Sequence, residues 1–114
     1  MKYNSMCIVL LLTTLFVGCI KQYKHTVKVC DGKFYVEVYN INLAGVDADY
    51  LTDTLNFRLY VGKWDNEHEN FTYSCTNDSI LIEKIGIVDS TGKFQVLEKR
   101  VYSLKELKKN KVFE

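Results

Sequence analysis

At 114 residues the chain suffices for one domain and not two. Apolar residues make up 47% and charged residues 25%, the balance of a chain that folds rather than one that stays disordered. A formal net charge of +1 leaves no electrostatic footprint for DNA or RNA, and the lack of proline excludes a polyproline ligand or a Pro-rich linker. Eight tyrosines and six phenylalanines favour strands, whose pleated faces suit flat rings.

In chain order, Lys2 is a short positive start among Tyr3, Asn4 and Ser5. Met6 to Val17 follows, an apolar run broken only by Thr13 and Thr14. It matches the 7–15 residues of an export-signal core and falls short of the roughly 20 needed to cross a ~30 Å hydrocarbon layer. Val17-Gly18-Cys19 closes the run, with Leu15 and Phe16 before it. This stretch resembles the lipobox of bacterial lipoproteins, in which an apolar and a small residue precede a lipid-accepting cysteine. Phe16 stands where that family usually has Leu. The resemblance implies a lipoprotein precursor: residues 1–18 are a cleaved signal, Cys19 takes a diacylglyceryl group by thioether, and its new amine is acylated with a palmitate-like chain. Two or more acyl chains hold a protein on a bilayer stably. The implied location is exported and membrane-anchored in the cell envelope. In a two-membrane cell the domain faces the periplasm from the outer membrane, since Ile20-Lys21-Gln22 replaces the acidic run that directs surface export. The competing reading is an uncleaved N-terminal helix, or a start-transfer anchor, with Cys19 a small buried residue.

On the lipoprotein reading Cys7 leaves with the signal and Cys19 carries lipid. Cys30 and Cys75 remain, either as a disulfide or as two buried thiols, and an oxidising compartment favours the bridge. Loss of Lys2 with the signal takes the net charge from +1 to 0.

The rest of the chain divides into a lipidated tether over residues 19–25 and a β-rich domain over 26–114. Thr26 to Val29 alternates as a first strand ending at Cys30. Asp31-Gly32 is a hairpin signal, because both turn positions take φ > 0. Phe34 to Ile41 is the second strand. Asn42 to Thr54, with Gly45 and three aspartates, reads as a loop with room for one helical turn. Leu55 to Val61 is a strand, and Gly62 to Asn70 a polar hairpin loop. Phe71 to Cys75 alternates, with Phe71, Tyr73 and Cys75 on one face. Asn77-Asp78 turns into a strand over Ile80 to Val88, and Asp89-Ser90-Thr91-Gly92 turns into another over Phe94 to Tyr102. Ser103-Leu104-Lys105-Glu106 is a capping box for a short C-terminal helix, with Leu104 and Leu107 spaced to pack it on the sheet. The predicted fold is mainly β: a small antiparallel sandwich or barrel of about six strands with a short C-terminal helix.

Candidate chemistry is sparse. In Asp65-Asn66-Glu67-His68-Glu69, strand alternation would put Asp65, Glu67 and Glu69 on one side, and carboxylate oxygens suit Ca²⁺. The run fails the EF-hand pattern at Asn70 and Thr76, so a solvated loop is the preferred reading and no metal site or cofactor is assigned. His25 and His68 form no zinc motif. No catalytic residue is assigned, because no nucleophile elbow, phosphate loop or dinucleotide fingerprint occurs and Cys30 and Cys75 lie too far apart for a redox pair. Six basic residues between Lys99 and Lys111, against Glu106, form either a patch for anionic lipid or glycan, or ordinary solubilising charge. Trp64, placed at a loop tip, is the one candidate binding residue, with packing over a barrel end as its alternative.

Two further resemblances concern the domain. Tyr50-Leu51-Thr52-Asp53, Asn56-Phe57-Arg58, Tyr60-Val61-Gly62 and Asp65 are similar to segments of small envelope lipoproteins of uncharacterised function. Tyr73-Ser74-Cys75 resembles a strand of the periplasmic lysozyme inhibitors, whose inhibitory S-G-x-x-Y loop is missing here. The expected function is a non-catalytic, lipid-anchored binding module of the envelope, its partner a protein or glycan. The alternatives are an inhibitor of the lysozyme-inhibitor type or a small hydrolase.

Overall fold

The computed structural model describes residues 21–42, 44–87 and 92–109; the signal segment, Cys19, Val88 to Thr91 and Lys111 lie outside them. Seven antiparallel strands form two sheets. β1 (Lys21–Val29), β2 (Phe34–Ile41), β3 (Val46–Thr52) and β4 (Arg58–Asp65) make one meander in chain order. β5 (Glu69–Cys75), β6 (Ser79–Ile87) and β7 (Phe94–Ser103) make the other, followed by helix α1 (Leu104–Lys109). The chain is mainly β, as its alternation predicts, in the form of a small sandwich.

One hydrophobic cluster joins the two sheets. On β2, Phe34, Val36 and Val38 are buried while the residues between them are only partly so. They pack with Leu51, Leu59 and Val61 of the first sheet and with Phe71, Ile80 and Ile82 of the second. Leu107 of α1 is buried in the same cluster with Leu104 beside it, so the predicted helix docks where its leucine spacing indicates. Its first turn is capped by Ser103 Oγ, which accepts from the Glu106 amide at 3.3 Å.

Three segments differ from the sequence reading. Val46 to Thr52 is a strand rather than a loop, and every residue from Asp47 to Thr52 is buried. Aspartates disfavour strands in general, but tertiary burial overrides that tendency here. β4 runs on to Asp65 and β5 starts at Glu69, so the expected loop over Gly62 to Asn70 shrinks to three residues that carry the chain between the sheets. Lys21 to His25, expected as part of the tether, opens β1.

Two connections follow their chemistry. Asp31 and Gly32 take φ of 57° and 82° as the turn signal requires, within a four-residue connection from Cys30 to Lys33. Between β3 and β4, Asp53 Oδ1 accepts from the amides of Leu55, Asn56 and Phe57 at 3.0, 2.7 and 3.2 Å. That side chain organises the loop and seats Phe57, which is fully buried.

On the outer face of the first sheet, Tyr23, Tyr39, Tyr50 and Tyr60 run across the strands with successive ring centroids 5.7, 5.5 and 5.2 Å apart. Lys21 and Arg58 lie over the Tyr50 ring at 4.0 and 3.9 Å, so this aromatic row carries its own cations.

Candidate functional site

β1 is an edge strand of the first sheet and β5 an edge strand of the second. Between them lies a cavity of about 310 Å³, lined by residues of β1 to β5. Val27, Val36, Val38 and Phe71 supply apolar walls, and His25, Asp49, Trp64 and Tyr73 supply polar groups. At one end Cys30 and Cys75 are joined by a disulfide with α-carbons 5.5 Å apart. The bond ties the β1–β2 turn to the end of β5.

Two β-bulges aim the polar groups inward. In β1 the register slips between Tyr23 and His25. Tyr23 therefore stands opposite Tyr39 on the outer face, and His25 opposite Val38 on the inner face. In β4 the register slips at Val61, which is buried in the core, so that Trp64 pairs with Asp47 on the inner face. Without that extra residue Trp64 would share the outer face with Tyr60. An extra residue that re-aims the following side chain is the usual consequence of a bulge.

Asp49 lies at the centre of the cleft on β3 and is only 4% exposed. Trp64 Nε1 donates to its Oδ1 at 2.7 Å, and the Tyr73 hydroxyl donates to its Oδ2 at 2.6 Å. Burial raises the Asp49 carboxyl above its ordinary value against the pull of these two bonds; the nearby Asp47 charge adds to the rise and His25 opposes it. Burial, with the Asp49 charge alongside, also raises the Tyr73 phenol, which stays protonated as the donor. Asp47, two residues along, is 1% exposed and has a different environment. Lys24 Nζ reaches its Oδ2 at 2.8 Å, and Asn40 and Asn66 donate to its Oδ1 at 3.1 and 3.3 Å. Burial pushes this carboxyl upward, but those bonds outweigh it and hold Asp47 below the ordinary value.

The residues singled out in the sequence are dispersed. Trp64 stands in a strand and half-buried in the cleft, not at a loop tip, because β4 continues past Gly62. Asp65 and Glu69 serve the turn between the sheets: Asp65 accepts from the Glu67 amide and from His68 Nδ1, and Glu69 accepts from the Asp65 amide. The Glu67 amide and His68 hold the Asp65 carboxyl below its ordinary value. Among the described residues, no three His, Cys, Asp or Glu side chains are grouped to hold a metal ion. The basic tail is divided too. Arg100 turns inward and donates to the Val61 carbonyl and the Tyr102 hydroxyl, while Lys99 and the α1 lysines stay exposed. Cys19 lies outside the described residues.

Asp49 was not legible as a site residue. In the sequence it is one of several acids in an apparent loop, and only the β3 pairing brings it under Trp64 and Tyr73. No protein-family model matches the chain, and neither a curated protein nor a solved structure matches it.

Proposed function

We propose that this protein is a non-catalytic binding module of the cell envelope, held to a membrane by lipid on Cys19 and binding through the cleft between β1 and β5. The observation that carries the reading is the cleft itself: apolar walls converge on a few placed polar groups, the general form of a ligand site. Both Asp49 oxygens accept from neutral donors, which fixes the carboxylate in place on the cleft wall. The export-signal pattern ending at Val17-Gly18-Cys19 supports the anchor.

A photo-crosslinking amino acid placed at Val27, which lines the cleft, and at Lys99, on the outer face of the second sheet, tests this in native membranes. Crosslinks from Val27 that are absent from Lys99 are expected, and Cys19→Ala should release the chain from the membrane fraction. Identical crosslinks from both positions would remove the cleft from the account, and a Cys19→Ala chain that stays membrane-bound would remove the lipid anchor.

A further inference from the structure

We propose that the cleft binds an aliphatic ammonium group, with Asp49 as its counter-ion and Trp64, Phe71 and Tyr73 around its apolar body. This rests on the cleft being the binding site.

Two neighbouring acids on the same face of β3 differ in how their charge is met. Asp47 and Asp49 are 1% and 4% exposed. Asp47 has a lysine ammonium at 2.8 Å and two amide donors, a complete set for a buried carboxylate. Asp49 has two neutral donors; His25, in the same cross-strand row, favours its charged form without bonding to it, and among the described residues no lysine or arginine bonds to it. Each of its oxygens keeps a further acceptor position. A carboxylate taken out of water without a bonded cation is unfavourable; such a group takes up a proton or meets its charge from outside the chain, and the two donors aimed at Asp49 favour the charged form.

The position of Asp49 indicates what does. It lines an open cavity of about 310 Å³ rather than sitting sealed in the core. That volume is at the small end for ligand pockets, enough for a short alkyl chain. Val27, Val36 and Val38 offer apolar contact to such a chain, and the Trp64 and Tyr73 rings are surfaces that attract cations. An anion would be repelled by Asp49, and a neutral alcohol would leave the charge unpaired. A free alkylamine and a lysine side chain presented by a partner share the chemistry the cleft selects.

Trp64 is the sole tryptophan, so its emission and its Nε1–H resonance both report on the cleft. The purified chain is titrated with hexylammonium, N-acetyl-lysine-N-methylamide, 1-hexanol and hexanoate. Saturable changes are expected with an ammonium probe, with hexanol and hexanoate weaker by about tenfold or more, as for loss of a close charge pair. Tighter binding of hexylammonium assigns a free amine, and tighter binding of the lysine derivative assigns a presented lysine; both support the inference. Asp49→Asn, checked for folding by circular dichroism, should lose about tenfold or more in ammonium affinity. His25→Lys gives a second variant at an exposed position in the row His25–Val38–Asp49. Its own ammonium should occupy Asp49 and block the probe. Hexanol binding as tightly as hexylammonium, undiminished ammonium affinity in both variants, or no saturable change with any probe would overturn the inference. Val27-specific crosslinks that survive such a result would leave the cleft standing as a binding site and remove only the amine.

Discussion

Replacing Cys30 by serine cuts the disulfide that links the two sheets. Cys30 and Cys75 are separated by 45 positions, and the loop between them holds β2, β3, β4 and most of β5. By the chain-entropy relation, closing a loop of about 46 residues restricts the unfolded chain by roughly 4 kcal/mol at 25 °C. Against a total stability of about 5–15 kcal/mol this is a large fraction. A domain of about 90 residues has an unfolding entropy near 0.2 kcal/mol/K, so the melting temperature should fall by about 20 °C. Thermal melts followed by circular dichroism would measure it for Cys30→Ser, Cys75→Ser and the double variant. All three should melt together, and reductant should bring the wild type down to meet them. A double variant that loses the sum of the two single losses, or a wild type indifferent to reductant, would show that each sulfur contributes only packing.

Four other outcomes are expected. Asp53→Ala orphans three loop amides and should cost about 2 kcal/mol in denaturant titration. Burial raises the Asp53 carboxyl, but its bonds to the Asn56, Leu55 and Phe57 amides outweigh that and hold it below 3.8; the stability it contributes is present above that pH and lost as pH falls further, so wild type and variant should converge in acid. Asp49→Asn keeps partners for Trp64 and Tyr73 while removing a buried charge. Because the Asp49 carboxyl is raised above 3.8, this variant should melt higher than wild type at pH 7 and lose its advantage as pH falls toward 3.8, a window opposite to that of Asp53. Gly62→Ala, at φ 149° with the added carbon 3.3 Å from the Phe71 ring, should destabilise by about 1–3 kcal/mol in the same titration. Metabolic labelling with a fatty-acid analogue should mark the wild type and spare Cys19→Ala.

The sheet-forming character of the chain was legible because alternation survives in β2 and β5, where one face is core and the other is not. Asp31-Gly32 and the Ser103 cap were legible because a local φ or a local hydrogen bond decides them. β3 was not. Its aspartates argue for a loop, and what makes it a strand is pairing with β2 and β4 at long range. The cleft was illegible for a related reason. A bulge adds one residue and exchanges the two faces of the strand beyond it, so alternation counted from Leu59 puts Trp64 on the wrong side. Only the partner strand reveals the slip at Val61. The bridge between Cys30 and Cys75 was open in the sequence as one of two alternatives, and the 5.5 Å separation of their α-carbons decides it.

The start of β1 at Lys21 has a mechanical consequence under the proposed anchoring. Ile20 alone would separate a lipidated Cys19 from a residue already paired with Ile41. Three successive α-carbons span at most about 7 Å, roughly the thickness of one headgroup layer. A domain leashed so shortly has little freedom to tumble or to sample the space above the bilayer. It would ride against the lipid with the N-terminal end of β1 leading, and the His25 end of the cleft would lie nearer the membrane than the Val29 end. Ligands would then reach it by moving along the surface, and lengthening the leash by ten residues would change how fast they arrive without changing how tightly they are held.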